Sequence, residues 1–260
     1  MYLRRLDDYQ SWQVLFRGTS ILIDPWLTPE PITGGFDRRH GSGFTTAADL
    51  RREHQTIGAV FLCTQVNDHT RPATLAQLTD VPVHGPAKAV KIARVAGCAS
   101  THVARPGSTV EIECPEGGRI IVTTTECGKP LGLLAVGYLI EGRDVDDQVI
   151  GRIWIEPHQP TARAAARVAP VDVAVLPCQS VTAVVLPVTA GPRTTAKATA
   201  ASRARALVPT ATDPRRDMKW WQRTLYVVTG GVDATRRALA GRASLVDLRA
   251  GDWLDVKSGR

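Results

Sequence analysis

Asp68 and His69 stand side by side in a short polar stretch, Thr64-Gln-Val-Asn-Asp-His-Thr-Arg71. An apolar run at residues 59–63 stops just before it, and a helical pattern opens at Arg71-Pro72. A carboxylate beside an imidazole at a strand end supports two kinds of chemistry. The pair can ligate a divalent cation, or the acid can orient the ring as a proton shuttle. Loops at strand ends of α/β proteins carry side chains on a rigid sheet, which is where reactive groups are usually placed. Thr64 adds a hydroxyl able to donate to a substrate. A further acid, Asp24, ends the apolar run Ser20-Ile-Leu-Ile and precedes Pro25-Trp26; taken alone, an Asp there is a turn former. A bound Asp-His pair can equally do no more than brace its loop.

The elements that must hold these groups follow from length and pattern. The chain has 260 residues, 43% hydrophobic and 22% charged, enough for one large α/β domain, read here as a single domain over residues 1–260. No run approaches the ~18 apolar residues of a membrane span, and Met1-Tyr-Leu-Arg-Arg-Leu6 lacks the apolar core of a signal peptide, so a cytoplasmic protein is expected. Cys63, Cys98, Cys114, Cys127 and Cys178 show no Cys-x-x-Cys spacing, which argues for free thiols rather than a disulfide framework or zinc knuckle. The net charge of +7 raises the question of nucleic acid. The arginines are spread along the chain and aromatics make up only 5%, too few for stacking platforms. The partner expected is a small-molecule substrate or ligand, with no nucleic acid and no membrane; a homo-oligomer is left open.

Residues 1–25 read as two or three strands with a turn at Gly18. Residues 27–43 are rich in Pro and Gly, without periodicity, and form a long loop containing His40. A short helix over 46–53, capped by Thr45 or Thr46, precedes the strand at 59–63. Pro72 then opens a helix, 81–84 is a short strand, and 87–95 a helix closed by Gly97. Strands are expected at 103–112 and 119–125 around the turn Pro115-Glu-Gly-Gly118, and again at 134–140 and 149–155. A βα rhythm follows: helix 161–168, strand 171–176, helix 194–206, strand 207–209, a short helix 218–224, helix 232–240 and a closing strand 244–248. The tryptophans Trp26, Trp154, Trp220 and Trp221 are core or interface residues before they are pocket walls.

The loop and the opening strands resemble the metallo-β-lactamase superfamily, whose metal-binding loop reads His-x-His-x-Asp-His. Aligned on Asp68-His69, the two leading histidines are replaced by Thr64 and Val66. The opening strand, Gly turn, strand and Ile-Asp24-Pro-Trp26 are similar to the ascorbate-lactonase-like branch. The resemblance implies an α/β four-layer αβ/βα sandwich with its site at the common edge of two halves, and Asp24 at the rim positioning the loop. It also implies a reduced metal site. The first metal position loses both leading histidines. The second keeps Asp68 and His69, with Glu156 of Arg152-Ile-Trp-Ile-Glu-Pro-His158 in place of the bridging aspartate and His158 as an added imidazole. Cys127 falls near the middle histidine's place, where a thiolate could stand in as a ligand, and no histidine stands near residues 208–213, where the last belongs.

Three readings are therefore open. In one, Asp68, His69, Glu156 and His158 hold one divalent metal (zinc, iron or manganese) and the chain hydrolyses a small ester, lactone or phosphodiester. In another, no metal is bound and Asp68, His69 and His158 do acid/base work as an isomerase, lyase or cyclase. In the third, the domain is non-catalytic and binds a ligand or a protein. Thr64, Asp24, Trp26 and Cys127 are the expected substrate contacts.

Overall fold

The computed structural model describes residues 1–31, 44–53, 56–128, 130, 133–211 and 220–259. His40 and residues 32–43 of the long loop lie outside them. In chain order the elements of the first half are β1 (Tyr2–Arg5), β2 (Trp12–Phe16), β3 (Thr19–Ile23), α1 (Ala47–Arg52), β4 (Thr56–Phe61), α2 (Pro72–Leu75), β5 (Val83–Gly85), α3 (Ala87–Val95) and β6 (Thr101–Val103). The second half holds β7 (Thr109–Glu113), β8 (Arg119–Glu126), β9 (Val136–Arg143), β10 (Val149–Ile155), α4 (Ala162–Val168), β11 (Val173–Pro177), β12 (Gln179–Ala183) and β13 (Leu186–Thr189). It continues with α5 (Pro192–Ala201), β14 (Ala206–Thr210), α6 (Trp220–Leu225), β15 (Tyr226–Gly230), α7 (Val232–Leu239), β16 (Ser244–Leu245) and β17 (Trp253–Asp255).

Local sequence explains most boundaries. Arg17 and Gly18 both have positive φ, 46° and 73°, the two-residue turn that matches strand twist and joins β2 to β3. Thr46 caps α1 in a reciprocal capping box with Asp49. Pro72 opens α2 at its first turn, and Thr161 caps α4 through the amide of Ala164.

Two seven-stranded sheets carry the fold, ordered β17-β1-β2-β3-β4-β5-β6 and β16-β14-β11-β10-β9-β8-β7. In each, an antiparallel portion leads into a parallel one: β3 to β6 run parallel in the first sheet, and β10, β11, β14 and β16 in the second. The strands β3, β11 and β14 are buried along their whole length, as parallel strands covered on both faces must be. Ile21, Ile23 and Phe61 of the first sheet pack with Tyr138, Ile153 and Val175 of the second in one core between the sheets. The outer face of the first sheet is covered by Leu50, Leu75 and Ala89 of α1–α3. Ala164, Ala198 and Leu239 of α4, α5 and α7 cover the second. The layers run helix, sheet, sheet, helix, the expected four-layer αβ/βα sandwich.

Several expectations need correction. The run 103–112 is not one strand: β6 closes the first sheet, and β7 begins the second after a crossing at 104–108. Helix α5 ends at Ala201, and Ala206 already belongs to β14. The closing strand β16 is two residues long. Trp26 and Trp154 are buried, whereas Trp220 is 80% exposed, so it is not a core residue. A small sheet, β13-β12-β15, and the strand β17 were not expected.

Candidate active site

The first half supplies a histidine held between two acids. Asp24 follows β3 with φ +47°, and its amide donates to the Phe61 carbonyl at 2.9 Å, joining the ends of the parallel strands β3 and β4. Its Oδ1 accepts from the Cys63 amide at 2.7 Å, and its Oδ2 accepts from His69 Nδ1 at the same distance. The carboxylate thereby fixes the loop with one oxygen and the ring with the other. His69 Nε2 is left 3.6 Å from Asp68 Oδ2. Asp68 is fixed in turn by Gln10, whose Nε2 donates to its carbonyl at 2.7 Å and to Oδ2 at 3.2 Å, and by the Tyr9 hydroxyl at 3.5 Å. Burial disfavours a charged His69, but Asp24, Asp68 and Glu156 outweigh it and raise its pKa.

The second half supplies an acid with one committed oxygen. Glu156 follows β10 and is fully buried. Its Oε1 accepts from Cys127 Sγ at 2.7 Å and from the amides of His158 and Gln159 at 3.0 and 3.1 Å. Among the described residues its Oε2 has no hydrogen-bond partner, and neither does Nδ1 of buried His158. Burial pushes the Glu156 pKa up to about 7 against those three hydrogen bonds. Burial, with the neighbouring charge of His69, pushes His158 well down, which favours the neutral ring, the form whose lone pair can ligate. Burial and Glu156 together push the Cys127 thiol up. One ligand atom from each of Cys127, Glu156 and His158 can be chosen so that all lie within 4.8 Å of one another.

The two groups meet where the His69 and His158 rings face each other, 4.5 Å between centroids and tilted by 30°. The fold thus brings Asp68, His69, Glu156 and His158 to one edge, with Asp24 behind His69. Cys127, expected as a substrate contact, stands among the ligand atoms of Glu156 and His158. Thr64 is buried, and its hydroxyl donates to the Leu134 carbonyl at 3.2 Å or to Gln65 Oε1 at 3.3 Å, which leaves its oxygen as an acceptor. Trp26 is buried with Tyr9 and Ala211, its Nε1 donating to the Glu30 carbonyl at 3.1 Å and its ring under the Arg71 guanidinium. Where a last histidine belongs, Thr210 ends β14 and accepts from Trp12 Nε1 at 3.1 Å; residues 212–213 lie outside the described part. Gln10 and Tyr9 were not singled out from sequence. They sit on a turn whose amides at Tyr9 and Ser11 donate to Asp7, and the Asp-x-Tyr-x-Ser spacing signals the turn but not its neighbour Asp68.

No protein-family profile matches the chain, and no curated protein does. Solved structures do. An isothiocyanate hydrolase from Delia radicum gut bacteria aligns with a TM-score of 0.69 at 14% identity, covering 98% of both chains. The metallo-β-lactamase fold protein YhfI from Bacillus subtilis aligns at 0.63 and 10% identity, covering 98% of this chain and 99% of its own. CmlA, a diiron β-hydroxylase from Streptomyces venezuelae, aligns at 0.67 and 15% identity over 97% of this chain. The chain spans about half of CmlA, 53% of its length. The fold is that of the metallo-β-lactamases. Among the described residues no helix is long and apolar enough to cross a membrane.

Proposed function

We propose that the chain is a metallo-β-lactamase-fold hydrolase of a small ester, lactone or phosphodiester, with one divalent cation held between Asp68, His69, Glu156 and His158. The observation that carries this reading is the pair of buried atoms without partners among the described residues, Glu156 Oε2 and His158 Nδ1. Burying such atoms is costly unless a ligand satisfies them. Two carboxylates and two imidazoles suit zinc or iron. Asp24 on His69 Nδ1 is the outer support that fixes a ligand ring's tautomer and leaves Nε2 for the site. With Thr64 and Val66 in the places of two imidazoles, donors remain for one cation. The hydrolase among the similar structures supports the reaction class. A cation there supplies Lewis acidity toward a carbonyl or phosphoryl oxygen and toward water. The chain's own groups orient: Asp24 sets His69, Gln10 and Tyr9 set Asp68, and the amides of His158 and Gln159 set Glu156.

Elemental analysis of protein purified without chelator or histidine tag tests this. Near one equivalent of zinc, iron or manganese is expected, with chelator lowering the melting temperature and the turnover of lactones or phosphodiesters. Metal-free protein whose melting ignores chelator would end the reading. A metal-independent acid/base role is the second reading, favoured by the 2.7 Å Asp24–His69 bond, which is the arrangement that orients a general base. It expects chelator-insensitive, pH-dependent turnover that disappears in His69→Ala, and full turnover in that variant would remove it.

A further inference from the structure

We infer that Cys127 is a thiolate ligand of this centre and that Cys127, Glu156 and His158, all from the second half of the chain, make it a zinc site. The inference rests on the metal reading above and deepens it by naming a donor and the metal that the donor selects.

Three observations carry it. First, the backbone makes room for the convergence. Residue 137 of β9 lies between Thr125 of β8 and the end of β10, and it is glycine. A Cβ there would stand 2.7 Å from Thr125 Oγ1, 2.8 Å from the Ile155 carbonyl and 3.0 Å from Glu156 Cγ. Without it, the Glu156 side chain leans across β9 toward the end of β8, and Cys127 Sγ reaches Glu156 Oε1 at 2.7 Å. Second, the three donors lie within 4.8 Å of one another. Third, two of the three residues carry a buried polar atom with no partner among the described residues, Glu156 Oε2 and His158 Nδ1, in residues that are 0% and 4% exposed. Sulfur, oxygen and nitrogen together form a zinc donor set, and a thiolate turns selection away from the oxygen-preferring manganese and magnesium. On binding, the thiol releases its proton to solvent as the S–metal bond forms.

Cobalt(II) substitution followed by absorption spectroscopy tests the inference. Wild-type protein is expected to take up about one equivalent with a near-ultraviolet thiolate-to-cobalt charge-transfer band. Cys127→Ser is expected to lose the band and about a hundredfold in zinc affinity, the most that loss of a mere supporting contact costs. The nearby thiol Cys63 is the control, and Cys63→Ser must keep the band. Because the band is read in wild type, a Cys127→Ser chain that fails to fold leaves the test intact. Cobalt bound without the band, with zinc affinity unchanged in Cys127→Ser, would overturn the thiolate and leave the metal reading standing. Wild-type protein that takes up neither cobalt nor zinc would overturn both.

Discussion

Asp24 shows how much of a site can hang on one carboxylate. Its two oxygens serve the Cys63 amide and His69, and its backbone occupies the left-handed region at φ +47°. Asn adopts that region more readily than most residues, so Asp24→Asn keeps the backbone and one acceptor while removing the charge. We expect this variant to lose about 1–3 kcal/mol of stability, the scale of a buried charged hydrogen bond, and His69 to titrate lower than in wild type. The sign follows from linkage. A histidine whose folded pKa is raised stabilises the fold below its unfolded value of 6.5, and that contribution disappears as pH rises through the folded value. NMR titration of His69 and melting curves on either side of neutrality check it; an unchanged His69 titration would mean that Asp24 is only a strand splint. At this scale the sequence was partly legible. Asp68 and His69 announce themselves by type and by standing at a strand end, and Asp24 joins them through the resemblance. Cys127 is legible as a thiolate ligand only through the resemblance, because a single cysteine gives no spacing to read and its partners arrive 29 and 31 residues later.

Helices and interior strands were readable because each is a local pattern. Thr46, Pro72, Gly97 and Thr161 mark the ends of α1, α2, α3 and α4, and the apolar runs mark β3, β4 and β11. The small sheet β13-β12-β15 was missed because Leu186 and Val227 are exposed, which removes the in–out alternation that identifies a strand. The crossing between sheets at 104–108 is invisible for a related reason: alternation says that a strand exists, not which sheet it joins. One element-level feature yields a pH effect. Phe61, His84 and His102 occupy matched positions on β4, β5 and β6 and stack at 5.0 and 4.8 Å. Burial, with some help from His102, pushes the His84 pKa to about 4 from 6.5. Between those values the unfolded chain binds more protons, so stability rises with pH through that window. His84→Phe should flatten the rise in melting temperature between about pH 4 and 6.5. An unaltered profile would show that other groups set it.

Nothing local foretells that the His69 ring will lie 4.5 Å from that of His158. That contact exists only once two sheets, each with its own helices, pack back to back. Part of the packing is a single hydrogen bond from the Tyr138 hydroxyl on the second sheet to the Leu62 carbonyl on the first, 2.7 Å long and buried. Tyr138→Phe removes the donor and keeps the ring, and we expect it to cost about 1 kcal/mol and to loosen both halves of the site together. Denaturant melts, with amide exchange read at residues 62–70 and 156–158, measure this; protection lost on one half alone would show that the sheets are not coupled there. The sheet order carries a last consequence, which concerns time. Strand β1 pairs with β2 on one side and with β17 on the other, Tyr2 opposite Asp255 and Arg4 opposite Trp253. The ribosome makes β1 about 250 residues before β17, roughly 12–50 s at synthesis rates of ~5–20 residues per second. Throughout that wait the outer edge of β1 is an open template for a wrong partner, so the nascent chain is most at risk of mispairing before β17 arrives to cover it.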